Sequence, residues 1–71
     1  MKADITRKEV ANRIKEIRLS KGLTQTDVAK RGEINVGYYA RVERGEIEPS
    51  VGTLERIATG LDVRSSEILP F

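Results

Sequence analysis

Apolar residues along the chain recur at helical spacing. Val10, Ile14 and Ile17 share one face of a first helix expected from about Thr6 to Ser20. Thr6 and Glu9 have the spacing of a capping box, in which the hydroxyl covers a free backbone N–H and the carboxylate reaches back. Lys21-Gly22 then gives a basic last turn and a glycine able to take the left-handed conformation. A second, short helix is expected over about Gln25–Arg31, capped by Thr24, with Asp27 suited to its positive end. Leu23, Val28 and Ala29 would face inward, and Gly32 would break it. A third helix over about Val36–Arg44 is capped by Asn35 and ended by Gly45. Its Tyr39 and Val42 face inward, and Ile34 and Tyr39 stand at hydrophobic-staple positions. Ser50 caps a fourth helix with the stripe Val51, Leu54, Ile57, Ala58 and Leu61. A last turn or two spans about Ser65–Leu69, stopped by Pro70, and Ile68, Leu69 and Phe71 leave an apolar end. No run alternates like a strand. The expected fold is all-α, with five helices in a single domain over residues 1–71.

The second and third helices are each too short to persist alone in water, so packing must hold them. The small Ala29 lets them approach closely. Two short helices around the tight break Arg31-Gly32-Glu33 form a helix-turn-helix pattern, whose second helix can lie in a DNA major groove.

Composition narrows the chemistry. Among 71 residues there is no Cys and no His, which removes disulfides, thiolate metal sites and the commonest general base near pH 7. A chain this short has little room for a deep pocket, so neither an enzyme nor a bound cofactor or metal is expected. The longest apolar stretches are two or three residues, against roughly 20 needed to span a bilayer, and nothing resembles a signal peptide. The chain reads as cytoplasmic. Its net charge of +2 divides unevenly: residues 1–44 hold eleven Lys/Arg against six Asp/Glu, and residues 45–71 hold two against five. A basic front suits a polyanion; an uneven but merely solvated surface would look the same.

The stretch Gly22-Leu23-Thr24-Gln25, then Val28-Ala29, Arg41-Val42-Glu43-Arg44-Gly45, Pro49-Ser50, Thr53-Leu54 and Ile57-Ala58 resembles the helix-turn-helix family of phage Cro proteins, phage repressors and related bacterial regulators. Short stand-alone regulators, such as restriction-modification controller proteins, look most alike. The resemblance runs from about Arg13 to Leu69. It implies a five-helix, lambda-repressor-like domain with the helix-turn-helix at helices 2 and 3, acting on double-stranded DNA in a bacterial or phage nucleoid.

By family position, Asn35, Val36, Gly37, Tyr38 and Arg41 lie where the third helix meets DNA. Arg41 is the candidate for base readout, since a guanidinium can bond guanine O6 and N7 together; its bland alternative is a surface ion pair. Val36 could touch a thymine methyl, and Tyr38, facing out, a phosphate or sugar. The resemblance implies that Thr24 and Gln25 at the start of helix 2 bind a phosphate, with Arg44 as a further backbone contact. It also implies that Arg18 and Glu43 form a partly buried ion pair between helices 1 and 3. Glu46 and Glu48 depart from the family's basic or neutral loop, and Gly37 from its usual polar reader.

One recognition helix gives few base contacts, so a homodimer reading two half-sites is expected. Leu61, Val63, Ile68, Leu69 and Phe71 are the candidate dimer surface, unless they fold back on the chain's own core. With no sensing domain in view, no small-molecule effector is expected, and control would follow protein concentration. The rival reading is a protein-interaction module of the same fold, an antitoxin or bridging factor with weak DNA binding.

Overall fold

A computed structural model describes the backbone of residues 3–69 and the side chains of residues 7–69. The chain forms α1 (Ala3–Ser20), α2 (Gln25–Gly32), α3 (Val36–Glu43) and α4 (Val51–Leu61), followed by one 3-10 turn (Ser65–Glu67). The described residues contain no strand. The expected fifth helix is therefore a single 3-10 turn. The Arg64 N–H donates to the Glu67 carboxylate at 3.1 Å and the Ile68 N–H to the Ser65 carbonyl at 3.0 Å, closing it after three residues. Helix α1 starts at Ala3, so Thr6 lies inside it and is not its cap; Asp4 falls in the first turn, where the positive helix end favours a carboxylate.

The other three helices start where a side-chain oxygen can cover a free amide. Thr24 Oγ1 accepts from the Asp27 N–H at 3.0 Å, Asn35 Oδ1 from Tyr38 at 3.0 Å and Ser50 Oγ from Thr53 at 3.1 Å. Each such cap contributes about 1 kcal/mol. Asp27 returns the bond by accepting from the Thr24 N–H at 2.9 Å, completing a capping box.

All four helices end the same way. One or two residues past the helix the chain takes a left-handed conformation, and the next amide bonds to the carbonyl five residues back: Leu23 to Arg18, Ile34 to Ala29, Glu46 to Arg41 and Val63 to Ala58. This is the Schellman arrangement. Gly22 and Gly45 supply two of the left-handed residues, but Glu33 (φ 58°) and Asp62 (φ 60°) supply the others. Gly32, expected to break α2, is instead its last residue and is buried. A left-handed conformation strains any residue with a Cβ. Glu33→Gly and Asp62→Gly should therefore each stabilise the fold by about 0.5–1 kcal/mol, net of the extra chain entropy glycine brings to the unfolded state. Urea unfolding of the two single variants measures this.

The core is built from Val10, Ala11 and Ile14 of α1, Val28 and Ala29 of α2, Tyr39 and Val42 of α3, the α4 stripe Leu54, Ile57, Ala58 and Leu61, and Ile68 after the 3-10 turn. Val51, expected in that stripe, is 71% exposed, because it sits in the first turn of α4 beyond the core's edge. Helix α2 packs most extensively on α4. There the small residues are glycines: a Cβ on Gly32 would stand 2.5 Å from the Arg56 carbonyl oxygen, and one on Gly60 2.3 Å from that of Val28. Gly32 and Gly60 thus set the close approach of α2 to α4, and Ala29 is buried in the core. Arg56 Nη1 then donates to the Glu33 carbonyl at 3.1 Å, tying α4 to the end of α2.

Candidate nucleic-acid interface

A short helix can present side chains outward only if it is held from behind. Glu43, at the end of α3, provides that hold. Its carboxylate accepts from Arg18 Nε at 2.6 Å and Nη2 at 3.0 Å, from Gln25 Nε2 at 3.0 Å and from the Tyr39 hydroxyl at 2.5 Å. Arg18 Nη1 also donates to the Leu23 carbonyl at 2.9 Å. One carboxylate, with its side chain 2% exposed, thereby joins α1, α2 and α3. Burial opposes its charge, but the bonds from Arg18, Tyr39 and Gln25 and the Arg18 charge outweigh this and hold the carboxyl below the usual carboxylate range. Burial, and then donation to Glu43, push the Tyr39 phenol up. The bond from Glu43 holds the Arg18 guanidinium up as well, against its own burial.

The opposite face of α3 is open. Val36 is 42% exposed, and Asn35, Gly37 and Arg41 are exposed beside it. Asn35 uses its carbonyl oxygen as the cap, leaving its amide nitrogen as the side-chain donor. A Cβ on Gly37 would crowd that oxygen at 3.1 Å and meets nothing else, so the backbone here is bare. Tyr38, expected to face out, is half-buried and packs against the core. At the start of α2, Thr24 is exposed but its hydroxyl and N–H are engaged with Asp27. Gln25 gives one amide proton to Glu43 and keeps one.

Sequence reasoning flagged Glu46 as a departure but missed its partners. Arg44 Nε and Nη2 donate to its carboxylate at 2.7 and 3.3 Å, and Arg41 Nε lies 3.4 Å from Oε1. Bonds from Arg44, and then the charges of both arginines, hold the Glu46 carboxyl down; the Arg44 guanidinium is correspondingly raised. Helical spacing does not foretell this, because residues 41 and 46 are not helix neighbours. The left-handed turn at Gly45 brings them together.

Of the candidate dimer residues, Leu61 and Ile68 are fully buried within this chain and offer nothing to a second one. Leu61 lies on the same α4 face as Ile57, and the 3-10 turn folds Ile68 back onto that helix. Val63 and Leu69 are half-buried, and Phe71 lies outside the described residues. An apolar groove of about 240 Å³ is lined by Val10, Pro49, Val51, Leu54 and Leu69 together with Arg7 and Glu48. No group of three or more His, Cys, Asp or Glu among the described residues could hold a metal ion, and no described helix is long and apolar enough to cross a membrane.

The sequence profile of the helix-turn-helix family matches residues 14–68. The chain belongs to the helix-turn-helix family. It is 38% identical over 60 residues to the immunity repressor protein of Bacillus phage phi105, covering 84% of this chain and 42% of the repressor. It is 33% identical over 67 residues to the transcriptional regulator ClgR of Mycobacterium tuberculosis, covering 94% of this chain and 60% of that one. The chain thus spans about half the length of these curated relatives. Among solved structures it is similar to the restriction-modification controller protein C.AhdI from Aeromonas hydrophila, with a TM-score of 0.84 and 31% identity over 96% of this chain and 100% of that one. These relatives are repressors and regulators, and the helix-turn-helix family is one of regulators and not of enzymes.

Proposed function

We propose that this chain is a sequence-specific regulator that binds double-stranded DNA as a homodimer in the cytoplasm. In this reading α2 and α3 are the helix-turn-helix, and α3 enters the major groove. The observation that carries it is the outer face of α3: Asn35, Val36, Gly37 and Arg41 stand open on a helix fixed from behind by the Glu43 network. Arg41 reads a guanine, and Val36 meets a thymine methyl at an adjoining position. The bare backbone at Gly37 permits a close approach to the bases. Phosphates are met by Arg44, by the remaining amide proton of Gln25 and by the backbone at the start of α2 beside Thr24. Tyr38, with its ring against the core, reaches a phosphate through its hydroxyl only.

The homodimer follows from the need for two half-sites about one helical turn apart. With Leu61 and Ile68 internal, the described residues left to meet a second copy are Val63 and Leu69. Regulation then follows protein concentration, with no small-molecule effector.

Fluorescence anisotropy on duplexes enriched from a random pool, at two salt concentrations, tests the reading. A palindromic consensus should emerge, with affinity falling steeply as salt rises through counterion release. Arg41→Ala should weaken the selected duplex by about 5- to 150-fold, the equivalent of 1–3 kcal/mol, and relax one position in each half-site. The pairing of both Arg41 and Arg44 with Glu46 favours a second reading, a protein-interaction module whose basic groups are held internally. That reading stands if no sequence is enriched and Arg41→Ala binds as weakly as the wild type.

A further inference from the structure

We infer that Glu46 is a specificity-determining residue of this interface: it orients Arg41 for guanine while withholding Arg44 from non-specific phosphate. The inference rests on the DNA-binding reading above and deepens it.

The position of Glu46 is fixed by the backbone. Its N–H donates to the Arg41 carbonyl at 3.0 Å, and the Gly45 N–H to that of Val42, also at 3.0 Å, with Gly45 at φ 75°. The carboxylate is thereby set at the foot of α3 beside both guanidinium groups. It meets them differently. Its nearest approach to Arg41 is at Nε, at 3.4 Å, while the terminal nitrogens are the atoms placed to make a two-pronged contact to guanine O6 and N7. It engages Arg44 through Nε and a terminal nitrogen at 2.7 and 3.3 Å, which is the geometry a phosphate would itself use.

The two modes of DNA binding therefore face different penalties. At the correct base, Arg41 bonds guanine with Glu46 still in place, and the carboxylate stiffens the guanidinium. At any sequence a phosphate must displace Glu46 from Arg44 or lie beside a second anion, and at a random sequence, where binding rests on phosphates alone, no oriented Arg41–guanine contact offsets that penalty. All three side chains are about half exposed, so the pairs are weak enough for the exchange to occur. The result is suppression of non-specific binding with little loss at the specific site.

The test uses Glu46→Gln, Glu46→Ala and Arg44→Ala, singly and combined. Each is titrated against the selected duplex and a scrambled duplex of the same composition, with thermal unfolding to confirm an intact fold. Glu46→Gln should bind the scrambled duplex about 5- to 10-fold tighter and steepen its salt slope by about one; on the selected duplex the same gain at Arg44 is offset by the lost orientation of Arg41, so the ratio of the two affinities should fall about 5- to 10-fold. In the Arg44→Ala background the gain on scrambled DNA should disappear. Equal gains on both duplexes would reduce Glu46 to general repulsion and overturn the inference, as would no change on either. If wild-type protein itself fails to distinguish the two duplexes, the DNA-reading function falls and this inference with it. If wild type discriminates and the Glu46 variants keep the same ratio, only the inference falls.

Discussion

Glu43→Ala should destabilise the fold by about 3–5 kcal/mol, the magnitude expected when one partner of a buried ion pair is removed and the other charge is stranded. Arg18 loses both carboxylate bonds and keeps only the Leu23 carbonyl, with its side chain 11% exposed. Tyr39 loses its hydroxyl's acceptor in the core, and Gln25 loses the bond that ties the start of α2 to α3. A domain of this size has a total stability on the order of 4–10 kcal/mol, so the variant should be partly unfolded at 37 °C. The same carboxylate sets the acid limit. Its folded pKa lies below the unfolded value, so its contribution is present above the ordinary glutamate range and is lost as pH falls through the folded value. Tyr39 acts in the opposite sense: its folded pKa is raised, so its contribution is present below about pH 10 and lost at higher pH. Urea midpoints measured from pH 7 to pH 3 should fall in the wild type and fall less in Glu43→Gln, which starts lower. Asp27 and Glu46 are also held down but lie nearer solvent, so a wild-type acid limb unchanged in Glu43→Gln would move the effect away from the network.

The interface inherits that dependence. Glu43 touches no outward-facing residue of α3 other than through the helix it anchors, yet the orientation of Asn35, Val36, Gly37 and Arg41 requires α3 to stay docked. Glu43→Gln, which keeps the shape and can still bond Tyr39 and Gln25, should weaken DNA binding mainly through the folded fraction. Extrapolated to fully folded protein, its affinity should lie near that of wild type.

What the sequence revealed follows from how local each determinant is. The caps at Thr24, Asn35 and Ser50 were legible because capping is decided within four residues. The inward stripes Val10–Ile14 and Leu54–Ile57–Leu61 were legible because the period of a helix writes them out. The Arg18–Glu43 pairing came only by resemblance, since 25 residues separate the partners and no periodicity links them. Gln25 and Tyr39 as further donors to Glu43 were not visible at all. The left-handed ends at Glu33 and Asp62 carry no signal in the sequence, because glycine is the residue that marks such an end. Gly32 misleads for the same reason: a glycine one residue before the left-handed position looks like the end itself. Leu61 and Ile68 looked like a dimer surface because the sequence does not say that a 3-10 turn folds back onto α4.

Gly60→Ala should destabilise by about 3 kcal/mol, although alanine is the better helix former. The added methyl would stand 2.3 Å from the Val28 carbonyl oxygen, 3.0 Å from Val28 Cγ1 and 3.2 Å from its carbonyl carbon. The nearest obstacle is backbone, so no rotamer change relieves it and α2 must move away from α4. The crossing is reciprocal: Gly32 on α2 meets the Arg56 carbonyl, one turn before Gly60, and Gly60 meets the Val28 carbonyl, one turn before Gly32. Opening it separates Val28 and Ala29 from Ile57, Ala58 and Leu61, which form the largest helix contact in the fold. Gly52→Ala is the matched control on the same helix. Its methyl would approach nothing closer than Ser50 Oγ at 3.9 Å, so it should stabilise by up to about 0.5–1 kcal/mol. Opposite signs for the two variants in urea unfolding locate the requirement in the crossing and not in helix propensity. A Gly60→Ala variant as stable as Gly52→Ala would mean that α2 and α4 can part without loss. DNA affinity should follow stability here too, because α2 carries Gln25, and any shift of α2 moves the Gln25–Glu43 bond that seats α3.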